Sequence, residues 1–195
     1  MRTTLTRTLR RTVTVAGTTL AAVLAIALPA SAHTSIVLDE TDVVPWLAPL
    51  SVDGNDPLSY YGTLPQAGAI RSYQFDSPGT MPLSFALLLP DQAPENTLPA
   101  TQLPRILIVA PDGHVTVVSP TIREVVPIPE IGQQYLRVSK YDGPSIAGRY
   151  SVIVTGLAGA RFNISTGHHG VSFHGIERGS VATTQQIIDW YSTAP

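Results

Sequence analysis

The 195-residue sequence contains no cysteine and only one lysine, Lys140. Without cysteine the chain can form no disulfide, and it cannot be a lipoprotein anchored through a lipidated cysteine. Charged residues make up only 13% of the chain, whereas proline and glycine are numerous, at 17 and 15 residues. Because exposed helix surfaces usually carry Glu, Lys and Arg, this composition favours strands and turns over helices.

Familiar catalytic motifs are also missing. The sequence has no Gly-x-Ser-x-Gly nucleophile elbow and no glycine-rich phosphate-binding loop. Carboxylate pairs for glycoside cleavage could be drawn from Glu124 with Glu130 or from Glu95 with Asp91, but sequence spacing does not set their separation. A hydrolase of an unrecognised family therefore remains one alternative.

The first 32 residues have the three parts of a secretory signal peptide. An apolar stretch at residues 20–28 is followed by small residues at 30–32, and four arginines precede it: Arg2, Arg7, Arg10 and Arg11. The apolar stretch is shorter than the roughly 20 residues of a membrane-spanning helix, which favours a cleaved signal over an anchor. We expect a secreted or otherwise extracytoplasmic protein that begins at His33, and both the general and the twin-arginine export routes stay open.

The chain after residue 32 is acidic. Its eight basic and fourteen acidic residues give a net charge of −6 with histidines neutral. This balance argues against nucleic acid and against anionic membrane surfaces as partners, and leaves a protein or a carbohydrate. No membrane span is expected after cleavage.

The remaining chain, residues 33–195, is expected to form one domain. From residue 60 onward, short apolar or alternating segments recur between turns, as at 69–75, 83–89, 105–110 and 149–155. Seven or eight such strands predict an all-β fold, a single antiparallel β-sandwich of jelly-roll-like topology. Residues 33–58 are predicted to be an irregular lead-in, with a short strand at 36–38 as one option and Trp46 at the core edge. Residues 90–104 and 120–131 are predicted to be proline-rich loops.

Residues 167–195 are predicted to be a loop followed by a short helix. The segment 180–191 has an amphipathic pattern, with Ser180 as the expected N-cap. Its apolar stripe is expected to pack on the domain itself, with docking of a partner as the alternative.

The strand series also resembles the pre-peptidase C-terminal domain, a secreted jelly-roll-like family. The resemblance covers about residues 60–166 and depends on four short motifs: Gly62-x-Leu64, Tyr73-x-Phe75, Asp112-Gly113 and Gly148-x-Tyr150. The acidic pair usual before the aromatic strand is replaced by Ile70-Arg71-Ser72. The resemblance implies a non-catalytic accessory or binding module and names no ligand.

Four histidines are the candidate metal ligands: His33, His168, His169 and His174. An N-terminal histidine chelates a metal through its α-amine and its imidazole, an arrangement suited to copper(II). A copper site therefore requires the 168–174 loop to meet His33 in space. The oxygen-rich residues 53–56 offer a second, calcium-binding alternative, although the spacing of an EF-hand is absent.

These observations favour an exported non-catalytic β-sandwich protein, a binding, interaction or cell-envelope accessory module. The first alternative is a copper-binding exoprotein that uses the mature N-terminal histidine. No catalytic or cofactor-binding residue is predicted, and the metal ligands named above are the candidate site.

Overall fold

A computed structural model describes residues 33–195 of the protein; the predicted export signal lies outside them. These residues form twelve strands and one α-helix. The strands are β1 (Thr34–Val37), β2 (Leu50–Ser51), β3 (Leu58–Leu64), β4 (Ile70–Ser77), β5 (Leu83–Pro90), β6 (Arg105–Val109), β7 (Val115–Val118), β8 (Glu124–Ile128), β9 (Gln133–Gly143), β10 (Gly148–Thr155), β11 (Ala160–Thr166) and β12 (Ile176–Arg178). The helix α1 (Thr184–Ser192) follows them, so the all-β prediction with a short C-terminal helix is confirmed.

The strands form two six-stranded sheets. The first sheet has the order β1-β3-β11-β5-β9-β8, and the second has the order β12-β2-β4-β10-β6-β7. Most neighbouring strands are antiparallel, but β1 pairs with β3 and β2 pairs with β4 in parallel. The two parallel pairs come from the 33–58 lead-in, where β1 overlaps the short strand considered at 36–38 and β2 was not predicted.

Side chains of both sheets contribute to one hydrophobic core. The rings of Tyr60 on β3 and Tyr73 on β4 stack with their centroids 3.6 Å apart, although the two strands belong to different sheets. Alternation along each strand supplies the other core residues, because successive side chains point to opposite faces. On β11, Phe162 and Ile164 are fully buried in this core, so their neighbours in sequence lie on the opposite face.

Two expectations about the loops are wrong. Residues 124–128 form β8, although the prolines of 120–131 predicted a loop. Pro127 is tolerated because β8 is the edge strand of the first sheet. Proline has no backbone N–H, and at an edge strand this does not remove a hydrogen bond from the middle of the sheet. Trp46 is 70% exposed rather than placed at the core edge.

The C-terminal helix begins later than the sequence predicted. Its N-cap is Thr183 and not Ser180, because Thr183 and Gln186 form a reciprocal capping box. Ile187 and Trp190 are buried, and the Trp190 indole N–H donates to the Gly62 carbonyl at 3.3 Å. The helix thus packs on the outer face of the first sheet, as predicted for its apolar stripe. Among residues 33–195 no helix is long and apolar enough to cross a membrane.

A buried ion pair fixes the end of this helix. The Arg161 guanidinium on β11 donates to both carboxylate oxygens of Glu95, at 2.7 and 2.8 Å, and both side chains are almost fully buried. Arg161 also donates to the carbonyl of Tyr191 in α1. The Arg161–Glu95 pair and the C-terminal end of α1 therefore cover one part of the outer face of the first sheet, and the rest of that face is uncovered.

Candidate functional site

The open part of that outer face is a groove of about 690 Å³, which we call the outer groove. Its floor is formed by β3, β11, β5 and β9. One wall comes from β8 and the 3₁₀ turn Pro129–Ile131, and the other from β1, residues 181–182 and the start of α1. The side chains that line it are His33, Thr34, Ser35, Ser59, Tyr61, Ala86, Leu88, Val126, Ile128, Glu130, Ile131, Tyr135, Arg137, Asn163, Ser165, His169, Val181, Ala182, Thr184 and Ile187.

Strand alternation places polar residues on this floor. Ser59 and Tyr61 alternate with the core residues of β3, and Asn163 and Ser165 alternate with those of β11. The volume is within the range of about 300–1,000 Å³ that is typical of small-molecule sites. The groove is therefore large enough for a small molecule.

Strand register aligns four floor residues in one row. Tyr61 is paired with Asn163, Asn163 with Leu88, and Leu88 with Arg137. Neighbouring strands lie about 4.8 Å apart, so the backbones of Asn163 and Arg137 are about 10 Å apart, with Leu88 between them. A second row on the same face joins Ser59, Ser165 and Ala86.

Most hydroxyl, amide and imidazole groups lie on one side of the groove and most hydrocarbon on the other, although Val181, Ala182 and Ile187 line the more polar side and Glu130 and Arg137 the more apolar one. The side formed by β1, β3, β11 and the following loop carries hydroxyl, amide and imidazole groups: His33, Ser35, Ser59, Asn163, Ser165 and His169. The side formed by β5, β8 and β9 carries mainly hydrocarbon: Ala86, Leu88, Val126, Ile128 and Ile131. An amphipathic molecule would match this division, with its polar part against β11 and its apolar part against β8.

Two hydrogen-bond donors of the floor have no protein partner. They are Nδ2 of Asn163, a residue only 5% exposed, and Nε of Arg137. A buried donor without an acceptor costs about 1–3 kcal/mol, so such atoms often mark a place where a ligand or water completes the bonding. Both side chains line the outer groove, but the two atoms are themselves buried from solvent and lie beneath its surface.

The structure brings two of the predicted metal ligands together at one end of the groove. The rings of His33 and His169 lie edge to face with centroids 5.5 Å apart. Two imidazoles that share a metal, each nitrogen about 2 Å from the ion, have a ring separation of roughly 5–6 Å. Burial and the nearby His169 lower the pKa of His33, which favours the neutral, metal-binding form. Nε2 of His33 also lies 3.1 Å from the Ser165 hydroxyl.

The other two candidate histidines contact different groups. Nε2 of His168 is 2.8 Å from the carbonyl of Pro82. Nδ1 of His174 is 2.6 Å from Oδ1 of Asp56, and the His174 backbone N–H donates to Oδ2 of the same carboxylate. This hydrogen bond, followed by the charge of Asp56, raises the pKa of His174. His174 therefore belongs to a second cluster.

That second cluster combines His174 with the residues considered for calcium. Ligand atoms of Asp53, Asp56 and His174 all lie within 4.8 Å of one another. Asp56 is fully buried, and its two contacts with His174, together with the His168 N–H that donates to the Asn55 carbonyl, hold the loop 53–56 against the 167–175 loop. The donor set is one that a divalent cation can use. His174 already compensates the Asp56 carboxylate, however, and an ion would have to compete with that bond.

One member of each acidic pair considered for hydrolysis is engaged in an ion pair. Glu124 accepts a hydrogen bond from Arg137 at 2.9 Å and lies 3.6 Å from Lys140. Glu95 is the buried partner of Arg161. Glu124 thus connects β8 to β9, and Glu95 connects its 3₁₀ turn to β11.

Sequence reasoning missed most of the outer groove. Asn163 was noticeable in the sequence only as part of an Asn-x-Ser glycosylation motif, and Arg137 and Tyr61 only as strand residues. The alternation in residues 160–165, with Arg161, Asn163 and Ser165 on one face, was the available signal of a polar surface on a central strand.

Comparison with protein-family models gives no match for this chain, and comparison with curated proteins gives none either. The resemblance to the pre-peptidase C-terminal domain stays a prediction.

Proposed function

We propose that this protein is an exported, non-catalytic binding module, built as a jelly-roll-like β-sandwich, that holds a small amphipathic molecule in the outer groove. The observation that carries the proposal is the division of the groove into a polar side at β11 and an apolar side at β8. The predicted signal peptide supports an extracytoplasmic location, and the core shared by the two sheets supports the sandwich.

The chemistry of the lining favours binding over catalysis. Arg137 and Glu130 are the formally charged side chains among those lining the groove, and Arg137 already pairs with Glu124. General acid–base catalysis usually needs a titratable group within hydrogen-bond reach of the substrate. His33 and His169 are such groups, but they lie at one end of a floor that otherwise carries hydroxyls, an amide, hydrocarbon and the paired Arg137.

Octyl glucoside, used below its micelle-forming concentration, tests the proposal, because it joins a hydroxylated head to an apolar tail. We expect saturable one-to-one binding, with NMR shift changes concentrated on the groove residues, and no such binding of glucose alone. Ala86→Phe should fill the groove and abolish binding. Ala100→Phe, the same change at an exposed alanine outside the groove lining, is the matched control. Binding that both variants retain, or shift changes elsewhere, would refute the proposal.

We propose copper binding as the second candidate function, on the observation that the His33 and His169 rings lie 5.5 Å apart. Removal of a signal ending at Ala32 would add the α-amine of His33 to these two imidazoles. The three nitrogens would then form a ligand set suited to copper(II). Neither His168 nor His174 is needed for this arrangement.

Titration of the processed protein with copper(II) tests this candidate. N-terminal mass analysis first establishes that His33 is the first residue. We expect one-to-one binding that is weakened by His169→Gln and by one extra N-terminal residue, whereas His168→Gln should leave it unchanged. Equal loss with the His168 and His169 variants, or binding that ignores the N-terminus, would contradict the proposed site.

A further inference from the structure

We propose that the protein forms a dimer through the edge strand β7, which pairs in antiparallel fashion with β7 of a second copy about a two-fold axis. The contact concerns the second sheet, whereas the outer groove lies on the first sheet, so the proposal goes beyond the binding function proposed above. It depends on how the edges of the two sheets differ, on the backbone groups that β7 leaves free and on the charge around them.

Three of the four edge strands within residues 33–195 carry a feature that opposes pairing with another chain. β8 contains Pro127, which has no N–H to donate. β1 is covered by residues 181–182, which make a backbone hydrogen bond and a β-bridge to it. β12 has only three residues, an irregular register and two charged side chains, Glu177 and Arg178. Folded proteins protect sheet edges from other chains by features of these kinds.

The fourth edge strand, β7, is aliphatic and uncharged. Its sequence is Val-Thr-Val-Val, and the side chains of Val115 and Val117 are 47% and 53% exposed. Leu107 and Val109 of β6 continue the same face, because they pair with these two valines. Ile153 of β10 extends it by one more strand. An exposed aliphatic edge of this kind is a template for pairing with another strand.

The free backbone groups of β7 follow from the hairpin that precedes it. The Ala110 N–H donates to the His114 carbonyl at 2.8 Å, so these two residues form a hydrogen-bonded pair. Hydrogen-bonded and non-hydrogen-bonded pairs alternate along an antiparallel ladder. The register therefore assigns Val115 and Val117 to non-hydrogen-bonded pairs with β6, and their N–H and C=O groups point away from the sheet. No other hydrogen bond to these groups occurs within residues 33–195.

The spacing of these groups makes the strand complementary to itself. When Thr116 lies opposite Thr116 of the second copy, Val115 of each copy faces Val117 of the other. Each of these two pairs can make two hydrogen bonds. The same arrangement brings the exposed valine side chains of both copies onto one face, because directly opposite residues share a face. A two-fold contact uses the same surface on both copies, as most dimers do.

Charge favours this edge as the place where two copies meet. The chain after residue 32 is acidic, so two copies repel each other. Neither β6 nor β7 contains an acidic residue, and the repulsion is therefore weak along this edge. The two-fold arrangement also brings the turn that contains Asp112 toward the end of the second copy that carries Arg105, and these residues have opposite charges.

Sedimentation equilibrium of the processed protein tests the proposal. Four residues from each copy make a small contact, so we expect a weak, reversible dimer whose average mass rises toward two chains between about 10 µM and about 1 mM. On dilution, NMR shift changes should be confined to β7 and the adjoining β6. The mass of one chain at every concentration, or shift changes confined to the outer groove, would overturn the proposal. Neither measurement requires a variant.

Two substitutions at Val117 test whether edge pairing holds the dimer together. Val117→Pro removes an N–H that β6 does not use, and Val117→Lys places a charge on the exposed face. Each should weaken the dimer at least about tenfold, since proline and lysine are residues that protect natural edges. Val117→Lys should leave the urea unfolding midpoint nearly unchanged, because the side chain is exposed.

The matched control is Val125→Lys, the same change at a valine that is 57% exposed on the edge strand β8. It should leave the dimer unchanged. If both Val117 variants dimerise as the unaltered protein does, or if Val125→Lys weakens the dimer as much as Val117→Lys, the contact is not made by β7.

Discussion

The buried pair of Arg161 and Glu95 allows a quantitative prediction about the support beneath helix α1. Glu95 is fully buried and receives three hydrogen bonds from Arg161, from Nε, Nη2 and the backbone N–H, at 2.7–2.8 Å. Glu95→Leu would leave a guanidinium in the interior without its carboxylate. Breaking a buried pair in this way costs about 3–5 kcal/mol, because an uncompensated charge remains.

The expected loss of free energy of unfolding is large enough to measure by urea unfolding, and it should also lower the melting temperature Tm. A change of 1 kcal/mol shifts the Tm of a domain of this size by roughly 2–4 °C, so Glu95→Leu should lower it by about 10 °C. Arg161→Met should be similarly destabilising, since it leaves a buried carboxylate. Replacing both residues removes both charges, and the double variant should recover most of the loss.

Comparing the free-energy losses of the single and double variants also gives the results that would refute this prediction. If each single change costs less than about 1 kcal/mol, the pair is not the buried, charge-compensated unit that the distances indicate. If the two losses simply add in the double variant, the cost comes from lost packing and not from an orphaned charge. Fluorescence of Trp190, in a Trp46→Phe background, separately reports whether the helix still docks on Tyr61 and Tyr135.

Three further predictions concern stability and protonation. Gly167→Ala should destabilise the protein by clearly more than about 1 kcal/mol in urea unfolding, because φ of Gly167 is +82° and an added Cβ would lie 1.9 Å from the Asp56 carbonyl oxygen. Gly170→Ala is the control, since φ of Gly170 is +84° but the space around it is open, so only the backbone strain should be measured. Comparable losses for the two variants would rule out the clash. In an NMR titration His174 should have a pKa above 6.5 and His33 one below it. The His174–Asp56 pair should therefore stabilise the folded state fully below pH 6.5, and this contribution should be lost as pH rises through the raised pKa of His174. The contribution of the buried, neutral His33 should be present above pH 6.5 and lost as pH falls through its lowered pKa. The reverse order of the two pKa values would contradict the assigned contacts. Trp46→Phe should change the free energy of unfolding by less than about 0.5 kcal/mol, since the side chain is 70% exposed, and a larger loss would show that it is packed.

The sequence predicted the strands best where a local pattern was sufficient. The alternation of 149–155 and the apolar run of 83–89 correspond to β10 and β5, because one buried face requires a period of two. It failed at 120–131, where proline content predicted a loop and the chain forms β8. Whether a proline is tolerated in a strand depends on the position of that strand in the sheet, and the residue pattern does not contain that information.

The candidate site was predicted only in part, for a related reason. The histidines were visible in the sequence, and the structure brings His33 and His169 together while His174 pairs with Asp56. The sequence could not show which of these histidines lie close to each other, because residues 33 and 169 are far apart in the chain. Arg137 belongs to no motif, and the Asn-x-Ser motif of Asn163 gives no indication of a groove. Their common row exists because β11 and β9 both pair with β5.

The sequence by itself thus determined the β-rich composition, the turns, the amphipathic C-terminal segment and the expectation of export. These properties depend on near neighbours in the chain, through side-chain alternation, turn chemistry and local hydrophobicity. Tertiary structure alone decided the strand order, the burial of Arg161 with Glu95 and the groove beside α1. Each of these brings together residues that are distant in sequence, and strand register, which depends on the packing of the whole core, sets where they meet.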